Sequence, residues 1–333
     1  MEPDMDSTQT TQPYLSVIVP IYNEQENLPL LYRAVIESVK QVEQPWELVL
    51  VDDGSRDNSR EVLEELAKQD PEHVRVVLLR RNFGQTAALA AGIDHSVGEI
   101  VVLMDADLQN DPADIPMMLE KIDEGYDVVS GWRFNRQDNL TRTLPSQIAN
   151  GLISWATKVK LHDYGCTLKA YRREVITGFR LYGEMHRFIP VYASSVGARI
   201  IEVPVHHHAR MYGKAKYGLE RTFKVVLDLF TVIFLSQYAN KPIYLFGGAG
   251  AGLIALSLIA MIYLVIRRFT LNVSVLGSPI FQMATMIAIL GFQSILMGLI
   301  AELLARTYHE SQGKPTYTVR KTINTLPKSG KED

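Results

Sequence analysis

The chain has 333 residues, which is enough for about two domains. Hydrophobic residues make up 47% of it and charged residues 21%, a composition that excludes a protein built mainly of disordered or acidic tails. The net charge of −3 is too small for general nucleic-acid binding, and the single cysteine, Cys166, excludes an intramolecular disulfide and a cysteine-rich zinc site.

The first half of the chain alternates strand and helix signals. Residues 1–13 are polar and lack the apolar segment of a secretory signal. Short apolar runs predict strands at Leu15–Pro20, Glu47–Val51, Val74–Leu79, Ile100–Met104 and Asp127–Ser130. Helical periodicity predicts helices at Glu24–Lys40, from Asp57 or Asn58 to Gln69, at Thr86–Ser96 and at Pro112–Glu124. Apolar strands that alternate with helices predict an α/β fold with a mainly parallel sheet covered on both faces.

Polar residues follow three of these strands at their carboxyl ends, where such sheets bind ligands. The runs are Pro20–Glu24, Asp52–Ser55 and Asp105–Gln109. Carboxylates at one sheet edge repel each other, and a hard divalent cation, Mg²⁺ or Mn²⁺, relieves that repulsion. Asp57 and Asp111 are explained equally well as helix caps, whereas the Asp105 and Asp107 pair favours a metal site.

The sequence lacks the motifs that would indicate an ATPase, a dinucleotide-dependent dehydrogenase or a hydrolase with a nucleophilic serine. The sequence contains no Walker-type phosphate loop, no G-x-G-x-x-G after the first strand and no G-x-S-x-G nucleophile motif.

His206–His208 follow a strand-like segment at Ile200–Val205. Adjacent strand residues point to opposite faces, which favours a pocket or surface role for the three histidines over a shared metal ion.

The last third of the chain is strongly apolar. Two transmembrane helices are predicted near Ile243–Ile266 and Pro279–Ala301, with a buried helical hairpin as the alternative. Basic residues flank the pair on both sides, which predicts that both flanks face the cytoplasm, although Arg267 and Arg268 in the connecting loop weaken this. Gly248 and Gly252 form a G-x-x-x-G that permits close packing within the hairpin or between subunits. The residues from Lys321 onward are expected to form a frayed tail.

Four ordered motifs resemble a known family. They are V-P-x-Y-N-E at 19–24, V-D-D-G-S at 51–55, N-F-G at 82–84 and D-A-D-L-Q at 105–109. Together they resemble the inverting GT-A glycosyltransferases of family 2. With the C-terminal helix pair, the resemblance extends to the polyprenyl-phosphate branch, which includes dolichyl-phosphate mannose synthases and bacterial undecaprenyl-phosphate glucosyltransferases of O-antigen modification. It covers about residues 14–305.

The resemblance implies a domain plan and roles for individual residues. It places a Rossmann-like GT-A domain at 14–210, a basic juxtamembrane segment at 211–241, a transmembrane hairpin at 242–305 and a cytoplasmic tail at 306–333. It implies a nucleotide-sugar pocket of Pro20, Tyr22, Glu24, Asp52, Asp53 and Asp105. The metal would be held by Asp105, Asp107 and Gln109. Asp105 and Asp107 would thereby take part in catalysis, with Asp163 as a supporting base.

Basic residues are expected to bind the acceptor phosphate. Family members carry R-x-x-G-x-S-K-Y before the membrane, and here the segment runs from Arg210 to Tyr217 with Ala215 at the usual hydroxyl position. This departure predicts a missing hydroxyl contact and reduced activity. The expected phosphate ligands are Arg133, Arg142, Arg210, Lys214 and Lys216. A solvated surface role is the alternative for Arg133 and Arg142, and ordinary membrane anchoring by basic residues is the alternative for the segment from Arg210.

The reaction implied is transfer of a sugar, with UDP-glucose favoured, onto undecaprenyl or another polyprenyl phosphate at the cytoplasmic face of the inner or plasma membrane, with Mg²⁺ or Mn²⁺. GDP-mannose, UDP-GlcNAc and a UDP-aminopentose are alternative donors. Nucleic acid is not an expected partner, and a homo-oligomer formed through the transmembrane helices is one option. A processive polysaccharide synthase is disfavoured because Q-x-x-R-W is missing. A catalytically silent membrane scaffold is the alternative from another class.

Overall fold

The structure is a computed structural model that describes residues 12–134, 150, 151, 153, 154, 157–177, 181, 185–208, 242–271, 274–311 and 316–326. The chain divides into two compact units. Unit 1 comprises Met1–Leu229 and Pro315–Asp333, and unit 2 comprises Phe230–Lys314.

Unit 1 contains an eight-stranded sheet. Its strands are β1 (Leu15–Ile21), β2 (Trp46–Asp52), β3 (Val74–Leu79), β4 (Ile100–Leu103), β5 (Val128–Trp132), β6 (Lys169–Arg172), β7 (Ile200–Pro204) and β8 (Val319–Ile323). The order across the sheet is β7-β5-β6-β4-β1-β2-β3-β8. Only β6 and β8 run antiparallel to their neighbours, which confirms the mainly parallel sheet.

The first four helices of unit 1 lie in the predicted places, and the later ones were not predicted. The helices are α1 (Leu28–Val39), α2 (Ser59–Gln69), α3 (Gln85–Asp94), α4 (Ile115–Asp123), α5 (Arg173–Ile176) and α6 (Ile189–Ser195), with short 3-10 helices at Pro112–Asp114 and Met185–Phe188. On α1, Leu28, Leu31 and Val35 are buried, as the helical spacing of its apolar residues predicts. Each such side chain contributes about 1.5–3 kcal/mol by leaving water.

Two aspartates take the capping role that their positions suggested. Asp57 Oδ1 accepts a hydrogen bond from the Ser59 N–H (3.0 Å) at the start of α2. Asp111 Oδ1 accepts one from the Ala113 N–H (2.9 Å) in the 3-10 helix that precedes α4. These bonds satisfy donors that a helix terminus leaves without partners.

The C-terminal segment corrects one expectation. A frayed tail was expected from Lys321, but Val319–Ile323 form β8, which pairs with β3 at the edge of the sheet. Tyr317 Oη donates to Asp94 Oδ2 (2.8 Å) and Lys321 Nζ to Glu64 Oε1 (2.9 Å). The strand was missed because an edge strand with one solvated face reads as charged rather than apolar.

Unit 2 consists of two long helices, α7 (Pro242–Leu271) and α8 (Pro279–Ser311). Within them, Phe246–Leu271 and Pro279–Ala301 are long and apolar enough to cross a membrane. Only 17% of each apolar window is buried. Helices of a soluble core bury their apolar side chains, so this exposure favours a membrane as the surrounding medium.

A pair of glycines brings the two helices close together, but not the predicted pair. A Cβ on Gly250 would lie 2.5 Å from the Gly291 carbonyl oxygen, and one on Gly291 would lie 2.8 Å from the Gly250 oxygen. A Cβ on Gly248 or Gly252 would have no neighbouring atom within 4 Å. Their G-x-x-x-G therefore does not mediate packing within the hairpin, and packing between subunits stays a prediction.

Hydrogen bonds also join the two helices. Ser257 Oγ donates to the Ala284 carbonyl (2.7 Å), and Ser294 Oγ donates to the Phe246 carbonyl (2.8 Å). Small residues and hydroxyl groups at a helix contact are typical of membrane helix pairs, which gain nothing from burying apolar surface against each other.

Candidate active site

The loops after β1 and β2 are locked to each other at the carboxyl edge of the sheet. The buried Asp52 carboxylate accepts the Ser55 N–H (2.9 Å) and pairs with Arg60 Nε (2.8 Å). Ser55 Oγ accepts the Asn23 N–H (3.0 Å), and Asn23 Oδ1 accepts the Arg56 N–H (2.8 Å). Asn23 has a φ of 54°, a costly conformation that this network holds in place.

Asp53 binds the loop that follows β3. Its carboxylate accepts the N–H groups of Phe83 (2.7 Å) and Gly84 (2.9 Å), within the N-F-G motif. Burial raises the pKa of Asp53 to about 6, although the two N–H groups act in the opposite direction. Gly54 has a φ of +70°, and a Cβ there would collide with the Arg81 backbone, so only glycine fits. Both aspartates therefore hold loops together at this sheet edge, and their place in a nucleotide pocket, with recognition of the base by one of them, stays a prediction.

The start of α3 connects the loop after β2 with the loop after β4. Gln85 Nε2 donates to Asp105 Oδ1 (2.7 Å), next to the glycine amide that binds Asp53. Thr86 Oγ1 and His186 Nδ1 are hydrogen-bonded at 2.7 Å, which anchors the 3-10 helix at Met185–Phe188. Gln85, Thr86 and His186 were not predicted as site residues, although Gln85 directly follows the N-F-G motif.

Asp105 and Asp107 lie together after β4, as predicted. Burial, followed by the neighbouring Asp107 charge, raises the pKa of Asp105 to about 6. Asp107 Oδ1 accepts the Gln109 N–H at 3.2 Å. Leu108, the next residue, has a φ of 57°, which is strained for a leucine and belongs to the short turn that carries both carboxylates.

The residues of this turn fit a divalent cation. Among the residues that the structure describes, no group of three or more His, Cys, Asp or Glu side chains could hold a metal ion. Mg²⁺ and Mn²⁺ need no such group when one or two carboxylates act together with substrate phosphates. Repulsion between Asp105 and Asp107 is what a bound cation relieves. Asp105, Asp107 and the Gln109 side chain are accordingly the candidate ligands.

Asp163 and Arg133 form a close ion pair. Arg133 Nε and Nη2 donate to Asp163 Oδ2 and Oδ1 at 2.6 and 2.9 Å, and Oδ1 also accepts the Gly165 N–H (3.0 Å). Burial acts to lower the pKa of Arg133, but the Asp163 hydrogen bonds and charge raise it overall. A carboxylate bound this firmly is a weak base. In this geometry Asp163 orients Arg133, and its role as a supporting base stays a prediction.

A cavity extends from Asp105 toward β6. It is lined by residues that include Asp105, Gly165, Thr167, Lys169, His186 and Arg187. Lys169 is only 2% exposed, and burial lowers its pKa to about 8. Lys169 was missed at the level of sequence because β6 was not predicted, and Arg187 because the 3-10 helix at Met185–Phe188 was not predicted. The available signal was a lysine between the apolar Leu168 and Ala170.

The three histidines do not cluster around a common point. His206 Nδ1 pairs with Asp114 Oδ1 (2.7 Å), and His208 Nε2 pairs with Asp111 Oδ2 (2.9 Å). The hydrogen bond from Asp114 raises the pKa of His206. These pairs tie the end of β7 to the turn before α4, and the metal alternative for the histidines gains no support.

The remaining expected site residues divide into two groups. Pro20 lies near the end of β1, and Tyr22 and Glu24 follow it in the loop, where Glu24 Oε2 accepts Asn27 Nδ2 at 2.6 Å. The other expected acceptor ligands lie outside the described residues, namely Arg142, Arg210, Lys214 and Lys216, and so does Ala215.

Comparisons with known proteins find a matching family, similar sequences and a similar fold. The sequence profile of Glycosyl transferase family 2 matches residues 16–179. Dodecaprenyl-phosphate galacturonate synthase of Rhizobium johnstonii is 43% identical over 93% of each chain. Undecaprenyl-phosphate 4-deoxy-4-formamido-L-arabinose transferase of Proteus mirabilis is 37% identical over 93% of this chain and 94% of that one. The crystal structure of a mycobacterial protein shares the fold, with a TM-score of 0.50 and 19% identity over 67% of this chain and 74% of that one.

Proposed function

The chain belongs to glycosyl transferase family 2, and from that premise we propose that it transfers a sugar from a nucleoside diphosphate to a polyprenyl phosphate at a membrane surface. One observation carries the proposal. The loops after β1, β2, β3 and β4 converge at one sheet edge through the bonds of Ser55, Asp53 and Gln85, with Asp105 and Asp107 beside them. Such an edge is where open α/β sheets bind nucleotides.

The reaction we propose is a single displacement. A phosphate oxygen of the acceptor attacks the anomeric carbon and forms the new C–O bond. The bond to the diphosphate breaks, and the nucleoside diphosphate leaves with the electron pair, so the anomeric centre inverts. A cation held by Asp105, Asp107 and Gln109 would neutralise charge on the departing diphosphate.

The side chains contribute chiefly by positioning. The acceptor is already an anion, so no strong base is required. Asp53 and Gln85 fix the loops that flank the donor, and Arg133, held by Asp163, presents a guanidinium toward the same region. Holding two reactants in a reactive geometry can supply about 7–11 kcal/mol of a barrier.

The identity of the nucleotide-sugar donor is a more specific part of the proposal. The sequence favoured UDP-glucose, whereas the two relatives compared above are named for galacturonate and for 4-deoxy-4-formamido-L-arabinose. Neither name supports glucose. We therefore place UDP-galacturonate first among the donors to test, with UDP-glucose and a UDP-aminopentose after it.

The connectivity of the chain supports a proposed membrane topology. The chain leaves α8 at Ser311 and joins the sheet again at Val319, so both ends of the hairpin are connected to unit 1. Two spans return the chain to the side from which it started. With basic flanks on both sides, we propose that unit 1 and both termini face the cytoplasm.

The test is transfer of labelled sugar into organic-extractable lipid. Purified full-length protein receives undecaprenyl phosphate and one nucleotide sugar at a time, with Mg²⁺ or Mn²⁺ or with EDTA. Metal-dependent labelling of lipid from at least one donor supports the proposal. Intact binding of nucleotide sugar without labelling from any donor would instead favour a silent scaffold.

A further inference from the structure

Lys169 is a buried cation without a carboxylate partner among the residues that the structure describes. It lies at the start of β6, opposite Leu103 of β4, and is 2% exposed. Its ammonium group donates to the Tyr164 carbonyl oxygen at 3.1 Å, and no ion pair joins it to a carboxylate within the described part of the chain. Buried charges are costly unless an opposite charge neutralises them.

The groups around Lys169 offset its charge only in part. The Asp163 charge acts to raise the pKa of Lys169, but the same carboxylate accepts two hydrogen bonds from Arg133. Burial raises the pKa of Cys166 to about 12, so this thiol is uncharged. Burial lowers the pKa of Lys169 itself only to about 8, so the lysine is still mostly protonated near neutral pH.

A second cation faces the same cavity. Lys169 and Arg187 line it together with Asp105 and Thr167. Gly165 lies against both arginines and Asp163, since a Cβ there would lie 3.1 Å from Arg133 Nη2, 3.4 Å from Asp163 Oδ1 and 3.5 Å from Arg187 Nη1. His186, bonded to Thr86, holds the short helix that carries Arg187. The lining of the cavity thus includes two cations, Lys169 and Arg187, and the carboxylate of Asp105.

We propose that Lys169, assisted by Arg187, binds a carboxylate on the transferred sugar, so that the donor is a nucleoside diphosphate hexuronate. The inference rests on the proposed function and adds to it a specificity site that selects an acidic sugar. The name of the Rhizobium johnstonii relative agrees with this substrate class.

Discrimination follows from the buried charge. A uronate carboxylate forms a charge-assisted hydrogen bond with the ammonium group and neutralises it. The matching neutral hexose carries a CH₂OH group instead and leaves the ammonium without an anion. Sites that pair a buried polar group with one substrate reject the analogue lacking that partner strongly.

The experiment compares two donors that differ only at C6, UDP-galacturonate and UDP-galactose, in the full-length protein with undecaprenyl phosphate. We expect the wild type to have a kcat/KM at least about 10- to 100-fold higher for the uronate. Lys169→Met should lose most of this preference by lowering the uronate value much more than the galactose value. Arg187→Gln should act in the same direction.

A stability measurement separates binding from a structural role. Lys169→Met replaces a buried charge that has no ion pair among the described residues by an apolar side chain of similar length, so we expect its melting temperature to equal or exceed that of the wild type. Lys121→Met is the matched control, because Lys121 lies on α4 and pairs with Glu124 at 2.6 Å. It should change neither the donor preference nor the activity.

Three results would overturn the inference. They are equal use of both donors by the wild type, an equal loss with both donors in Lys169→Met, and an increased KM for undecaprenyl phosphate in that variant. If the wild type transfers no sugar at all, the proposed function fails, and competition of the two donors for bound UDP still decides the inference. Tighter binding of UDP-galacturonate that Lys169→Met abolishes would support it, and equal binding of the two donors would overturn it.

Discussion

The two units use apolar residues in opposite ways. In unit 1, apolar strand residues lie inside, and Leu50 on β2 is 1% exposed. In unit 2, apolar helix residues lie outside, and Leu258 on α7 is 57% exposed. The contacts between α7 and α8 rely on glycine and serine instead. Unit 1 therefore folds by removing apolar side chains from water, whereas the exposed apolar side chains of unit 2 suit an apolar solvent.

Truncating one leucine in each unit tests this contrast with the largest expected effect. Leu50→Ala removes a side chain from a closed core and should cost about 2–5 kcal/mol of unfolding free energy. Leu258→Ala removes one that faces lipid or detergent, and should cost well under half of that. Thermal and denaturant unfolding of the full chain in detergent measures both. Similar losses would place Leu258 in a protein interior and contradict the membrane assignment.

The chemistry of unit 1 gives the next largest effect. Asp107→Asn removes one of two carboxylates at the candidate metal site, and we expect lipid labelling to fall about 100-fold or more while the fold is kept. Asp123→Asn is the control, since Asp123 ends α4 and accepts a hydrogen bond from the Tyr14 hydroxyl at 3.1 Å. Unchanged turnover in Asp107→Asn would refute the metal assignment.

Substitutions of Gly250 and Gly248 test where α7 and α8 contact each other in unit 2. Gly250→Ala places a methyl group 2.5 Å from the Gly291 carbonyl oxygen and should destabilise the hairpin by about 1–3 kcal/mol. Gly248→Ala meets nothing within 4 Å and should be neutral or slightly stabilising, because alanine favours helix. Helix loss in a detergent titration, followed by circular dichroism, reports both. Equal effects would show that Gly250 is not the crossing point.

The smallest expected effect is a pH response confined to unit 1. Asp53 and Asp105 have pKa values raised to about 6, so the folded state holds their protons more tightly than the unfolded state does. Unfolding free energy should therefore fall as pH rises from about 5 to about 7, by about 1 kcal/mol after allowance for solvent screening. The raised pKa of His206 acts in the same direction.

Tryptophan fluorescence can follow this response in unit 1, because all three tryptophans, at 46, 132 and 155, fall within it. The measurement is made in EDTA, so that no metal competes for the carboxylates. A stability that rises with pH over this range would contradict the assignment. The helical signal of unit 2 should not respond.

The strands with the clearest apolar runs were predicted well. β1 to β5 lie where their patterns indicated, because strands buried on both faces are almost continuously apolar. β7 was also expected, from its branched apolar residues, although it lies at an edge of the sheet and is mostly only partly buried. β6 and β8 were missed. β6 begins with Lys169 and ends with Arg172, and β8 carries Arg320 and Lys321, so neither has the apolar signal of a central strand.

The site was predicted in part for a similar reason. Asp52, Asp53, Asp105 and Asp107 lie at or just after the ends of apolar strands, and their convergence is a consequence of parallel strand direction. Gln85, Lys169 and Arg187 reach the same region from elements whose placement depends on contacts distant in sequence. A local pattern carries no information about such contacts.

Apolar period and residue order are local properties, so the amino-acid sequence alone was enough to indicate the medium around each unit, the parallel sheet and the motifs of the family. Four features emerged only from the folded chain. Asp163 binds Arg133, Gly250 rather than Gly248 meets the opposite helix, residues after the hairpin complete the sheet, and Lys169 is buried in the cavity that Asp105 lines. Each depends on which distant segments meet, because burial of a charge and approach of two backbones are properties of the assembled chain.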